Sequence, residues 1–242
     1  MGSGSDFTAF QDFAGIPSID MGFGGGDSSA VYHYHSNYDS AAWMAKFGDP
    51  DFLYHETIAK IWALVAARLV ETPVLQLNAT RYAAGLARYV ESVKSSPKAT
   101  RLTIPNTNDE EDLFSALDTA VSRFAFAATI QDGTAAALLQ QLYDDDIPWW
   151  KFWEKLQLYY AIRKVNTKYK LLERKFLYAE GLDGRPWFKH VVFAPGKWTG
   201  YAGATFPGIV EAMEEGGGEA ARKWVGIAVG RVDAAREWLE EE

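Results

Sequence analysis

Gly48-Asp49-Pro50-Asp51-Phe52-Leu53-Tyr54-His55-Glu56-Thr57-Ile58-Ala59-Lys60-Ile61-Trp62-Ala63-Leu64-Val65-Ala66-Ala67-Arg68-Leu69-Val70-Glu71-Thr72-Pro73 divides the chain into two kinds of material. Asp49 stands where an N-cap belongs and Pro50 suits a first helical position, because its missing N–H would have no partner there anyway. Phe52, Ile58, Ile61, Trp62, Val65 and Leu69 then keep a period near 3.6, which predicts an amphipathic helix running to Glu71. Thr72-Pro73 stops it and is the expected domain boundary. Residues 1 to about 47 carry frequent glycine and aromatic residues and read as strand and loop. Phe10 to Phe23 is expected to be a short buried strand that delivers the chain to the glycine-rich loop Gly24 to Gly26. The fold class expected from this division is α+β.

Beyond the boundary the pattern is helical. Residues 79 to 95 place Tyr82, Leu86, Tyr89, Val90 and Val93 on one face. Asn108-Asp109-Glu110-Glu111 reads as an N-cap with an acid in the first turn, ahead of Leu113, Leu117, Val121 and Phe124. Further helices are predicted from Pro148 or Trp149 to Phe176 and from about Gly218 to Leu239, with Gly216 to Gly218 as a short hinge. Gly181 to Gly208 is an irregular stretch rich in glycine, proline and aromatic residues, of a length that is usually functional or interfacial.

Composition narrows the function classes. At 242 residues, with 48% hydrophobic and 14% aromatic content including nine Trp, the chain can bury a substantial core. A net charge of −8 leaves no basic stripe to neutralise phosphates, so a nucleic-acid partner is not expected. With no cysteine, disulfides and thiolate metal sites are excluded. No signal peptide and no membrane segment are expected: the most apolar window, Ile58 to Val70, is short and broken by Lys60 and Arg68. Asn78-Ala79-Thr80 is a formal glycosylation triplet of the kind that arises by chance.

Two blocks carry chemistry. Gly2-Ser3-Gly4-Ser5-Asp6-Phe7 and Gly15-Ile16-Pro17-Ser18 lead to Tyr34-His35-Ser36-Asn37-Tyr38-Asp39. Histidine is a common zinc ligand, and a tyrosine beside it can donate a hydrogen bond to a developing oxyanion. The second block is Gly184-Arg185-Pro186-Trp187-Phe188-Lys189-His190-Val191-Val192-Phe193-Ala194-Pro195, followed by Gly200-Tyr201-Ala202-Gly203-Ala204-Thr205-Phe206-Pro207-Gly208-Ile209. The first block resembles the end of the catalytic domain of co-catalytic zinc exopeptidases of the aminopeptidase and glutamate carboxypeptidase type. The second resembles the helical dimerisation domain shared by glutamate carboxypeptidase II and the transferrin receptor. Together they carry the resemblance over essentially the whole chain.

The resemblance implies an α+β fragment: the C-terminal part of an α/β zinc-peptidase domain over residues 1–72, and a helical-bundle dimerisation domain over 73–242. It implies a carboxypeptidase-like activity on C-terminal peptide bonds in a complete enzyme with two zinc ions, and an incomplete, inactive chain in isolation. His35 would be a metal ligand and Tyr34 catalytic, contacting the reacting carbonyl. Ser3, Gly4, Ser5 and Tyr201 would line the substrate site. A homodimer through the helical part, a peptide substrate, and an extracellular, vacuolar or membrane-anchored setting are implied in the same way. The alternative is a non-catalytic dimerisation or receptor-like binding module.

The departures from the family also matter. Gly200 stands where glutamate carboxypeptidase II has a lysine that holds the substrate's glutamate. Ile19-Asp20-Met21-Gly22 replaces an arginine patch, so a preference for glutamate is not expected. The family's remaining metal ligands and its general-base glutamate precede the first block and have no counterpart in the chain. Asp39 either orients His35 or caps a turn, and Asp6 either braces the site loop or is structural. His33, His55 and His190 are expected to pack or hydrogen-bond. Trp149-Trp150-Phe152-Trp153 is expected to be core or subunit interface.

Overall fold

The computed structural model describes residues 2–96, 99, 113–144, 147–198 and 200–241; the expected N-cap at Asn108 to Glu111 lies outside them. The described chain is mostly helical, with one small two-stranded sheet. It divides into two compact units. One is Ile19–Thr72; the other joins the residues up to Ser18 with those from Pro73 onward.

The Ile19–Thr72 unit contains α1 (Ala41–Trp43), a π turn over Met44–Gly48 and α2 (Leu53–Glu71). Ser40 caps α1 by accepting a hydrogen bond from Trp43 N at 3.2 Å. The long helix starts three residues later than Pro50, because Phe52 turns into the left-handed region at φ 54°. Asp49 still caps it, from further back: its Oδ2 accepts from His55 N at 3.0 Å and lies 2.7 Å from His55 Nδ1. Burial alone would raise the Asp49 carboxyl, but these bonds outweigh it and hold the group below the usual carboxylate range. Asp49 is the only buried residue of this unit; α2 buries none of its apolar side chains.

The second unit holds the core. Its elements are a π turn over Ala9–Phe13, α3 (Ala79–Lys94), α4 (Ser115–Asp144), α5 (Phe152–Leu172), a 3₁₀ turn over Glu173–Phe176, the strands β1 (Phe193–Pro195) and β2 (Gly203–Thr205), α6 (Pro207–Glu211) and α7 (Gly217–Glu240). The expected buried strand between Phe10 and Phe23 does not form. Phe10 faces solvent there, while Gln11 and Asp12 are buried, the reverse of what the apolar residues suggested. Within Gly181 to Gly208 the chain forms an antiparallel hairpin with Phe193 opposite Thr205 and Pro195 opposite Gly203.

On α7 the buried residues Ala221, Trp224, Val225, Ala228, Val232, Ala235 and Leu239 recur at intervals of three and four. They meet α4, whose buried positions include Ala120, Ala127, Ala128 and Ala135. Small residues on both faces let the helix axes approach closely. Phe124, Phe176 and Tyr82 pack as an aromatic cluster where α3 and α4 meet the 3₁₀ turn. Gly208 sits so close to the Trp224 ring that a Cβ would fall 2.3 Å from it, which gives the Phe206-Pro207-Gly208 turn its need for glycine.

Two polar side chains tie the helices together. Asp132 of α4 accepts from Ala79 N, Thr80 N and Thr80 Oγ1 at the start of α3, and from the Tyr169 hydroxyl of α5. Partial burial opposes ionisation of Asp132, yet these donors hold its carboxyl below the usual range. Asn166 clamps the approach to α3, accepting from Leu75 N at 2.9 Å and donating to Pro73 O at 2.8 Å.

Candidate functional site

The hairpin carries Tyr201 between its strands, on a loop closed by Gly196 N donating to Ala202 O at 2.8 Å and Gly200 N donating to Gly196 O at 3.1 Å. The N-terminal segment lies against that loop. Ser3 Oγ donates to Gly200 O at 2.8 Å. A Cβ at Gly4, whose φ is 107°, would fall 2.4 Å from the Tyr201 ring, and one at Gly2 would fall 1.8 Å from Tyr201 O. Backbone and ring therefore meet at a separation that no side chain at either glycine would permit. Ser5 continues the segment by accepting from Thr8 N and Thr8 Oγ1 at 3.2 and 2.9 Å. Ser3, Gly4 and Tyr201, although separated by almost the whole chain, meet here, and Tyr201 is 60% exposed. An exposed phenol beside main-chain polar groups can donate a hydrogen bond to a carboxylate or carbonyl of a bound molecule.

Behind this surface the hairpin is braced from α6. Arg185 is paired with Glu211 and donates to Pro195 O at 2.8 Å. Burial raises the Glu211 carboxyl, against the opposing pull of Arg185 and Lys197. Lys197 in turn reaches Glu215 at 2.6 Å.

Tyr34 and His35 lie in the Ile19–Thr72 unit. Their rings stack at 3.8 Å between centroids, and His35 takes the left-handed backbone region at φ 58°. For a non-glycine residue that conformation is uncommon and is often kept where a side chain has to be aimed. Around them, Tyr32 packs on Tyr34 and Trp43, and His33 on Tyr38. Asp39 turns to Tyr32 and accepts from its hydroxyl at 2.8 Å, while Asp39 N donates to Ser36 O at 3.1 Å. Its carboxylate thus ties Tyr32 to the turn. The hydrogen bond to Asp39 raises the Tyr32 phenol above its ordinary range.

Among the described residues no group of three or more His, Cys, Asp or Glu side chains could hold a metal ion. His35 supplies one imidazole, whereas a co-catalytic zinc pair needs several ligands and a bridging carboxylate. The described residues do not fit a complete zinc centre, and no catalytic step through zinc follows from them.

His190 hydrogen-bonds, as expected from the sequence, but its partner Glu173 was not foreseen. His190 is fully buried, with Nε2 3.0 Å from Glu173 Oε1 and Nδ1 accepting from Val192 N and Phe193 N. That fixes the neutral Nε2–H tautomer, with Glu173 as its acceptor. The Tyr82 hydroxyl also reaches Glu173 Oε1, at 3.3 Å, and burial together with the Glu173 charge pushes its phenol well above the usual range. No periodicity marks a polar residue of this kind, since its partners come from distant segments.

Residues 113–240 match the family described as the transferrin receptor-like dimerisation domain. The chain is 34% identical over 217 residues to a protein of Arthroderma benhamiae named "Probable glutamate carboxypeptidase", covering 89% of this chain and 27% of that one. It is 29% identical over 216 residues to the aminopeptidase NAALADL1 of Mus musculus, covering 88% of this chain and 26% of the relative. A Schizosaccharomyces pombe protein named as an inactive zinc metalloprotease is 26% identical over 230 residues, covering 91% of this chain and 26% of its own length. The chain thus spans about a quarter of the length of the curated relatives it matches. With a match over more than half its residues, the chain belongs to the transferrin receptor-like dimerisation domain family, among relatives named as glutamate carboxypeptidases and aminopeptidases.

Proposed function

We propose that this chain is the C-terminal portion of a zinc-dependent, carboxypeptidase-like exopeptidase that hydrolyses C-terminal peptide bonds. Residues 1–72 belong in this reading to the zinc-peptidase domain and residues 73–242 to the dimerisation domain. The observation that carries it is the seating of Ser3 and Gly4 on Gly200 and Tyr201. Two segments that the family resemblance assigns to one substrate site lie together although they are distant in sequence. Tyr201 offers its hydroxyl to the substrate's terminal carboxylate, beside the backbone of Ser3, Gly4 and Ser5. Tyr34 donates to the oxyanion of the tetrahedral intermediate, where a well-placed hydroxyl contributes about 3 kcal/mol. His35 contributes one imidazole to a metal centre of two zinc ions, and the other ligands come from elsewhere in the complete enzyme. Gly200 itself carries no ammonium, so an acidic terminal residue gains nothing from this position.

The isolated chain should not hydrolyse peptides, because a single imidazole binds zinc weakly. Free and C-terminally blocked dipeptides, assayed with added zinc, test this. Turnover that His35→Ala abolishes would mean that the chain holds a complete ligand set, and the reading of it as a portion of the enzyme would fall.

Assembly as a homodimer through the helical part belongs to the same proposal. Trp149, Trp150, Phe152 and Trp153 all face solvent at the start of α5, with Trp149 81% exposed. An aromatic patch of this kind matches the composition of interface cores. Light scattering over a concentration series should give a discrete species of twice the 26.9 kDa chain mass. A monomer at tens of micromolar, or a mass that rises continuously, would remove the dimer.

A second reading, a non-catalytic dimerisation or binding module, is favoured by the relative named as inactive and by the lack of a metal-holding group among the described residues. The two readings part on the reading frame upstream of Met1. Metal-ligand and general-base residues there support the peptidase.

A further inference from the structure

Asp12, on the π turn Ala9–Phe13, is fully buried, and among the described residues neither oxygen of its carboxylate has a hydrogen-bond partner. Its main chain is firmly tied. Asp12 O accepts from both Lys189 N and His190 N, at 2.9 and 3.1 Å, and these bonds join the N-terminal segment to the loop before β1. Phe13 stacks on Trp187 at 5.3 Å, and Lys189 Nζ lies 4.5 Å over the Phe13 ring. Gly15 is pressed against the backbone of Arg174, where a Cβ would come within 2.9 Å of the Arg174 Cα.

The titratable and charged groups facing this seam are His190 and Lys189 from the loop and Glu173 and Arg174 from the 3₁₀ turn, with Tyr82 of α3 behind Glu173, and the charge of the N-terminal ammonium also acts on Asp12. None donates a hydrogen bond to the Asp12 carboxylate. His190 commits its Nε2–H to Glu173 and fills its Nδ1 with two backbone donors. A carboxylate stripped of water and given no donor is far costlier to bury than the neutral acid.

We infer that Asp12 is a proton-operated latch: with its carboxyl neutral, the segment ending at Ser18 is held on the loop around Lys189 and His190, and ionisation loosens it. Burial pushes the Asp12 carboxyl up to about 6. The docked segment therefore binds the proton more tightly than the released one, in which the carboxyl returns to 3.8. Docking is at full strength below that lower value and weakens as pH rises through about 6. Ser3 and Gly4 ride on the same segment, so the latch also governs how firmly they sit against Gly200 and Tyr201. It goes beyond the peptidase reading and does not depend on it, because its readout is docking and not turnover.

Hydrogen exchange of the full chain at pH 5 and pH 8, corrected for the intrinsic rates, tests the latch. The reporting amides are Lys189 and His190, which bond to Asp12 O, and Gly15 and Ile16 within the segment. Opening at pH 8 should exceed that at pH 5 by roughly tenfold. In Asp12→Asn the ratio should fall close to one. Equal opening at both pH values in the wild type, or an unchanged ratio in Asp12→Asn, overturns the proposal. So does loosening on acidification. If Asp12→Asn fails to reach wild-type helicity, the ¹³C resonance of the Asp12 carboxyl decides. A midpoint near 6 supports the latch, and one near 3.8 overturns it.

Discussion

α2 and α4 are both long helices rich in apolar residues, and they have opposite fates. α4 buries Leu117, Ala120, Val121, Phe124, Ala127, Ala128, Gln131 and Ala135, whereas α2 buries nothing over its 19 residues. Both sequences offer an apolar face. What differs is whether the described chain supplies something to cover it. α4 has α3, α5 and α7 against it, while within its own unit α2 meets aromatic loop residues such as Phe23, beside Tyr54. Periodicity reports that a face exists to be buried; it does not report that its partner is present.

The strongest way to break this comparison is to cut a large side chain from each helix. Phe124→Ala removes a fully buried ring from the Tyr82–Phe176 cluster and should cost about 3–5 kcal/mol in denaturant unfolding. Trp62→Ala, from a ring 42% exposed on α2, should stay within about 0.5 kcal/mol. A loss at Trp62 near that at Phe124 would show that α2 is covered in solution.

A smaller effect sharpens the account of what fastens the packed unit. Asp132→Ala deletes an acceptor shared by the start of α3 and by Tyr169, and should cost about 1–3 kcal/mol. Because the folded carboxyl lies below its ordinary value of 3.8, the contribution of Asp132 is full above that value and is lost as pH falls through the depressed one. The difference in stability between wild type and variant should therefore shrink on acidification below pH 4. A difference that does not change with pH would mean that the carboxylate charge plays no part.

The smallest effect lies in the other unit. Asp49→Ala should leave global unfolding unchanged and speed amide exchange at His55, whose N–H bonds to the Asp49 carboxylate. Unaltered exchange there would show that the start of α2 holds without this cap.

The helices were readable because their apolar faces repeat. The starts of the helices were read less well. Asp49 does cap α2, but from three residues before the N-cap position, since the left-handed turn at Phe52 shifts the entry of the chain. The hairpin around Tyr201 escaped notice because its strands are three residues each, too short for alternation to register. Ser3, Gly4, Ser5, Tyr34, His35 and Tyr201 were named through the family resemblance, and nothing in their local spacing would have singled them out. Tyr34 and His35 are neighbours in the chain; the approach of Ser3 and Gly4 to Tyr201 depends on the hairpin and on the docking of the N-terminal segment.

Sequence alone determined the helical character of the second half, the lack of thiol chemistry, the acidic balance that disfavours nucleic acid, and the family resemblance. These are properties of composition and of local repeats, which survive without knowledge of any partner. Only the tertiary structure decided that Gln11 and Asp12, and not Phe10, turn inward, that His190 meets Glu173, and that Gly4 lies under the Tyr201 ring. The physical reason is that burial and hydrogen bonding belong to pairs of segments. A carboxylate becomes a buried, donorless group, and a glycine a point of close approach, only when a second stretch of chain arrives to enclose it.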